Sequence, residues 1–138
     1  MRAREYLAGM DTKEWIERYR QAWVDADSDA AAELFTEDAT YRSNPFRPPH
    51  RGRDGIRNYW RSATASQSNV KVTMGRPVQE GNKVVVEWWT EMGDDGSPLT
   101  LPGALILDFD ERGLCSALRE YYNLLEGERM APPSEWGT

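Results

Sequence analysis

The hydrophobic period of this chain changes once, near Val70, and that change limits the fold more than any other feature. Before it, apolar residues recur at helical spacing; after it, they alternate as on a half-buried strand. Asp11 and Glu14 resemble a capping box, and behind them Trp15, Ile16, Tyr19, Ala22, Trp23 and Ala26 predict a first helix over Thr12 to Asp25. Asp27, Ser28 and Asp29 offer N-caps for a short alanine-rich helix over Asp29 to Phe35, with Leu34 and Phe35 facing inward. Ile56, Tyr59, Trp60 and Ala63 fall on one helical face and predict a third helix over Arg53 to Ala63. Between the second and third helices, Ala39 to Ser43 reads as a short strand, followed by a loop carrying Pro45, Pro48 and Pro49.

Past Val70 the chain reads as a meander. Val70, Val72 and Met74 alternate with polar residues, and Glu80-Gly81-Asn82 turns the chain. Lys83 to Met92, Leu99 to Asp110 and Leu114 to Leu125 are long strands separated by Gly93 to Pro98 and by Glu111-Arg112-Gly113. Short turns between long strands imply antiparallel pairing. Strands longer than the usual five or six residues must twist, so a bend is expected, with Gly103 as a candidate bulge. The fold class is therefore α+β: a cone-shaped roll in which three N-terminal helices pack on a curved, mainly antiparallel sheet. Residues 1–11 form an N-terminal extension, 12–126 the domain, and 127–138 an extended C-terminal tail whose isolated Trp136 offers an indole for docking.

Composition excludes several function classes. The 138 residues suit one domain, able to support a core without metals or disulfides. A net charge of -6 argues against nucleic acid as a partner, since phosphate recognition needs a basic face. Cys115 is alone, which removes a disulfide framework and a cysteine-based zinc site; His50, the single histidine, cannot organise a metal by itself. No metal and no cofactor are expected, and no dinucleotide, phosphate-loop or nucleophile-elbow motif occurs. No apolar run reaches the length of a membrane span, and Met1 to Met10 lack the apolar stretch of a signal peptide, so a cytoplasmic protein without membrane partners is expected. The chain is only 39% hydrophobic yet has six tryptophans, so apolar surface is concentrated in rings that fill a core or line a hollow.

Three stretches carry a family resemblance. WIERYRQAWVDADSDAAAELFTEDATY (Trp15 to Tyr41), HRGRDGIRNYW (His50 to Trp60) and LREYYN (Leu118 to Asn123), in this order of elements, resemble the nuclear-transport-factor-2-like superfamily and its SnoaL-like group. The resemblance implies a hydrophobic cone between helices and sheet, and in many members a homodimer through the outer sheet face. It leaves activity open, because that fold hosts isomerases, polyketide-cyclase-like enzymes, epoxide hydrolases and plain binding domains.

Comparison with the ketosteroid isomerases of that superfamily implies that Val86, Trp88, Thr90 and Met92 face inward on one strand. Gly103, Leu105, Leu107 and Phe109 do so on the next, and Leu118, Glu120 and Tyr122 on the last. Trp89, Arg119 and Tyr121 then lie on the outer face, where Trp89, Ile106 and Tyr121 make an apolar patch suited to a second copy. Glu120, between Leu118 and Tyr122 on an apolar wall, is the candidate acid or base, because desolvation raises a carboxyl pKa toward neutrality. A salt bridge to an arginine from the loops is the competing expectation. Tyr19 falls where the resemblance places an oxyanion-stabilising phenol, the competing expectation being a core tyrosine. Trp23, Tyr41, Asn44, Tyr59 and Trp60 are candidate ligand contacts from the helices and first strand, and Trp88, Thr90, Leu105, Leu118 and Tyr122 from the sheet.

Departures matter as well. Tyr41-Arg42-Ser43-Asn44-Pro45 has no carboxylate where the isomerases carry their proton-shuttling Asp, and Leu105 stands at the place of their second one. Six arginines between Arg42 and Arg61 face a single acid, Asp54, whereas Asp25 to Asp38 has six acids and no base. That asymmetry reads as complementary surface charge, or as an electropositive mouth that steers an anionic ligand. His50 is expected to sit at the entry of the third helix. These readings converge on a protein that binds a small apolar or aromatic molecule, with cofactor-independent proton-transfer chemistry of the isomerase, cyclase or dehydratase type on a carbonyl compound. The alternatives are a non-catalytic ligand-binding or protein-interaction domain, and an epoxide hydrolase.

Overall fold

The structure, a computed structural model, describes residues 9–138; most of the N-terminal extension lies outside the described residues. Helix α1 (Thr12–Val24) starts where Asp11 accepts a hydrogen bond from the Glu14 amide at 2.8 Å. It buries Trp15, Ile16, Tyr19, Ala22 and Trp23 as one stripe. Helix α2 (Ser28–Ala32) is capped by Asp27 through the Ala30 amide. It ends before Leu34, earlier than the alanine-rich pattern suggests. The Leu34 carbonyl accepts both the Trp15 indole N–H at 2.8 Å and the Cys115 amide at 3.0 Å, and Phe35 already opens a strand. Long-range pairing with Cys115 thus overrides a weak local helix preference.

That strand, β1 (Phe35–Arg42), is followed by β2 (His50–Arg51) and helix α3 (Gly52–Thr64), which buries Ile56 and Trp60. The strands β3 (Gln67–Met74), β4 (Val78–Glu80), β5 (Lys83–Asp94), β6 (Ser97–Phe109), β7 (Cys115–Tyr122) and β8 (Leu125–Glu126) complete the sheet. Its order is β2-β1-β7-β6-β5-β3, with β4 on β5 and β8 on β6. Every pairing is antiparallel except β1 with β7. The three helices cover one face, giving the expected α+β roll. The inner layer is Val84, Val86, Trp88, Thr90 and Met92 from β5, then Leu105, Leu107 and Phe109 from β6, and Leu118 and Glu120 from β7.

Gly103 is no bulge: β5 and β6 stay in register through Trp88 opposite Gly103. A Cβ there would lie 2.5 Å from the Trp88 ring and 2.8 Å from the Tyr121 carbonyl oxygen, so glycine is required by the close approach of an indole. Register shifts occur instead between Phe35 and Thr40, between Ser68 and Lys71, and between Asp108 and Phe109.

The outer face is not left open over Trp89. Residues 127–138 cross it as a strap. Thr100 Oγ1 donates to the Glu128 carbonyl and accepts from the Met130 amide, and the Trp89 indole N–H donates to the Met130 carbonyl at 2.8 Å. Trp136 then packs edge-on against Trp89 at 5.7 Å, and the Arg76 amide donates to the Gly137 carbonyl. Trp89, expected as an exposed contact for a second copy, is consequently only 8% exposed. Tyr121 on the same face stays 46% exposed.

Candidate functional site

Alternation along β7 turns Glu120 inward beside Leu118, under the helices. It is 6% exposed. Burial alone pushes its carboxyl up to about 8; no cation and no hydrogen-bond donor among the described residues offsets the desolvation. The expected arginine salt bridge is not made among the described residues, and three of the arginines between Arg42 and Arg61 are engaged elsewhere. Arg57 bridges Asp29 of α2 at 2.8 Å and Asp54 at 2.6 Å. Arg53 donates to the Phe35 carbonyl and Arg42 to the Arg47 carbonyl. Arg57 and Arg53 thus tie α3 to α2 and to β1.

Two phenols from different elements meet near Glu120. Tyr19 on α1 and Tyr41 on β1 place their hydroxyls 3.1 Å apart. Tyr19 stacks on Trp15 at 5.3 Å and meets the edge of Trp60, also at 5.3 Å. Tyr41 leans on Phe35 and, at 5.2 Å, on Tyr59. Burial first, and the Glu120 charge second, hold both hydroxyls well above the ordinary tyrosine range, so they remain donors over the whole physiological pH range. Tyr59 is raised for the same two reasons, a Ser43 hydrogen bond partly opposing them. His50 stacks on Tyr59 at 4.3 Å, and burial lowers its pKa. That places it at the entry to α3 as a neutral ring supporting Tyr59.

Tyr19, Trp23, Tyr41, Tyr59, Trp60 and Glu120 enclose a cavity of about 50 Å³. Ala63, Thr64 and Gln67 complete its wall and were missed by sequence reasoning. Ala63 and Thr64 follow Tyr59 and Trp60 by one helical turn, so the period of α3 contains their signal; nothing local marks Gln67. The volume admits a few waters or the head of a small molecule, and is far below that of a drug-sized ligand site. The cone is filled rather than hollow. Trp23 packs on Trp88 at 5.0 Å, and Trp88, Thr90, Leu105 and Leu118, expected to contact ligand, are core residues that do not line the cavity.

A second space adjoins the first. Ser43, Asn44, Pro45, Phe46, Tyr121 and Tyr122 form an outer groove of about 370 Å³, and Glu120 lines this groove as well as the cavity. Glu120 is thus common to both linings. Asn44 is committed to its own turn, its Oδ1 accepting the Phe46 amide at 2.9 Å. Phe46 is 93% exposed and Tyr122 48%, so the groove presents apolar surface to solvent. Among the described residues, no group of three or more His, Cys, Asp or Glu side chains is placed to hold a metal ion.

The SnoaL-like domain family matches residues 16–117, which spans α1 through the start of β7. The chain belongs to the SnoaL-like domain family. Two solved structures share the fold of this SnoaL-like domain. One, from Catenulispora acidiphila, is a protein of ketosteroid isomerase-like fold in complex with trimethylamine; it superposes with a TM-score of 0.73 at 24% identity, covering 82% of this chain and 88% of its own. The other is the epoxide hydrolase/cyclase-like enzyme SalBIII of pyran ring formation in the polyether salinomycin, with a TM-score of 0.70, 23% identity and coverage of 80% and 89%. No curated protein matches the chain. No helix among the described residues is long and apolar enough to cross a membrane.

Proposed function

We propose that this SnoaL-like domain binds a small carbonyl compound and moves a proton on it without a cofactor, as an isomerase or cyclase does. One observation carries the reading: Glu120 is a buried carboxyl with no counter-ion among the described residues, its pKa raised to about 8, and it lines both a cavity and an open groove. A proton carrier works best when its pKa lies near the working pH. In the ionised form Glu120 takes a proton from the carbon next to the carbonyl, while whichever hydroxyl of the Tyr19–Tyr41 pair accepts from the other donates its own O–H to the oxygen on which charge develops. The neutral acid then returns the proton at another carbon, or, where the carbanion closes a ring by adding to a second carbonyl carbon of the same molecule, to the alkoxide oxygen that this addition creates. No atom is gained or lost.

The cyclase-like neighbour supports the second outcome as a precedent on this fold. Epoxide hydrolysis has less support, because among the described residues Glu120 is the only carboxylate lining cavity and groove, and no arginine joins it there. A binding role without turnover is favoured by the small cavity and by the missing second carboxylate. Solvent deuterium separates the two readings. With acetophenone as probe in D2O, the parent is expected to speed incorporation of deuterium into the methyl group, with a rate that rises to a plateau above about pH 8. Glu120→Gln should bind the probe within a few fold and lose the exchange; binding without exchange in the parent leaves a carrier.

The partner and location readings belong here too. We place the protein in the cytoplasm, which suits a single buried thiol, Cys115. It pairs with a second copy through the strip of outer sheet that the strap leaves free, where Val85 lies opposite Ile106 and Tyr121 opposite Ala104. Tyr121→Asp should then shift a sedimenting dimer to monomer, and a parent that sediments as a monomer removes the interface.

A further inference from the structure

Between β1 and β2 the chain reads Asn44-Pro45-Phe46-Arg47-Pro48-Pro49, and Asn44 to Pro48 are all exposed. One exposed apolar side chain is ordinary, but Phe46 is held out on a braced turn. The Asn44 side-chain oxygen accepts the Phe46 amide, the Asn44 carbonyl accepts the Arg47 amide at 3.2 Å, and the Arg42 guanidinium donates to the Arg47 carbonyl at 2.6 Å. Three prolines restrict the rest of the segment. An aromatic ring fixed in this way loses little freedom on binding, which is what an interface anchor needs. Arg47 beside it makes no ion pair among the described residues. Tyr121 and Tyr122, which line the groove at Phe46, also line a second groove of about 340 Å³. Trp136 of the strap, Pro102, Ala104 and Glu87 are among its other walls, and no lysine or arginine is. Glu87 likewise has no ion pair among the described residues.

We propose that Phe46 of one copy seats in the Trp136 groove of a second copy, with Arg47 of the first paired to Glu87 of the second. This rests on the pairing of two copies through the outer face and adds the arm that holds them together. The ring meets aromatic walls, the cation meets a carboxylate, and the guanidinium also suits the faces of Trp136 and Tyr121. The groove has room for the ring, since a cavity of ~150 Å³ accepts benzene. The arm does not fill its own groove, because the braced turn keeps Phe46 in solvent. The same two tyrosines border arm and groove, so the two lie side by side. A two-fold axis between them brings each arm to the other copy's groove; every contact is then made twice and the assembly closes at two. The strap that covers Trp89 thereby becomes part of the receptor. Pro45 and Phe46 also wall the groove that Glu120 lines, so seating the arm brings the second copy to the edge of the candidate site.

Sedimentation of the 138-residue chain over a concentration series reads the dimer dissociation constant. Phe46→Ser removes almost nothing but solvent-exposed surface from the folded copy. It should raise that constant about a hundredfold, about tenfold for each of two equivalent anchors. Arg47→Glu and Glu87→Arg should each raise it about tenfold. The combined exchange Arg47→Glu with Glu87→Arg should return it to within a few fold of the parent, a rescue that general damage to the fold would not give. Phe46→Ser that dimerises as the parent does, or an exchange that restores nothing, overturns the proposal. Val85→Asp reads the sheet strip alone, because Val85 lines neither groove. A dimer lost with Val85→Asp and kept with Phe46→Ser leaves the strip and removes the arm; the converse leaves the arm and removes the strip; a monomeric parent removes both.

Discussion

Trp88 and Trp89 are neighbours on β5 with opposite fates, and the contrast separates the two faces of the sheet. Trp88 points under the helices, touches Trp23 and Tyr122, and keeps an indole N–H with no partner among the described residues. Trp89 points outward, donates to the Met130 carbonyl, and is covered by Trp136. The inner face therefore buries large rings and leaves polar groups uncommitted: Trp60 Nε1, Trp88 Nε1, Thr90 Oγ1 and the Glu120 carboxyl. The strapped part of the outer face satisfies its indole and its Thr100 hydroxyl within one short segment. Unmet polar demand is concentrated on the inner face, with Glu91 Oε2 the one such atom on the outer face among the described residues, so chemistry belongs to the first and architecture to the second.

The largest effect that would break this contrast is at Glu120. A carboxyl raised from 4.5 to about 8 by burial is neutral in the folded state where the unfolded chain already ionises. Its contribution is fully present below about pH 4.5, is lost as pH rises through about 8, and then levels off. Glu120→Gln should hence match the parent in urea denaturation near pH 4.5 and exceed it by ~3–5 kcal/mol above pH 8.5. A gap that does not change with pH would mean that Glu120 is not desolvated. Trp88→Ala comes next, expected to lose ~3–5 kcal/mol because α1 cannot collapse into the space left by an indole. On the outer face, removing residues 127–138 should lose only ~1–2 kcal/mol, with a red shift of Trp89 emission, since a strap yields without disturbing the layer below it. A larger loss than that of Trp88→Ala would invert the comparison. Arg57→Ala, which frees α3 from Asp29 and Asp54, is the smallest, about 0.5 kcal/mol for partly exposed ion pairs, read as a slight shift of Tm.

Much of this arrangement is legible in the amino acids, and the exceptions share one cause. The Asp11 cap, the buried stripe of α1 and the inward alternation of β5 to β7 depend on neighbours within a turn or along a strand, so period alone reveals them. Leu34 and Phe35 leave the helix early because Cys115 pairs with them from eighty residues away. Gly103 reads as a bulge until the Trp88 ring is known to lie against it. Glu120 facing inward follows from alternation; its lack of a partner depends on where each arginine is anchored, which the pattern does not contain. Gln67 reads as an ordinary polar residue after a helix, and only the indole of Trp23 gives its amide a direction. Four expected contacts on the sheet proved to be packing because rings from α1 fill the space above them. A count of aromatic residues does not distinguish a lined hollow from a filled one.

The two tryptophan contacts also make the molecule report on itself. Trp23 and Trp88 lie 5.0 Å apart on the inner face, Trp89 and Trp136 5.7 Å apart on the outer one. Indoles this close share their excited states, and each pair adds a signed couplet to the circular dichroism of the protein. Loosening of the strap erases one couplet and disturbance of the helices over the sheet erases the other, so a single spectrum distinguishes opening of the back from opening of the front without any label.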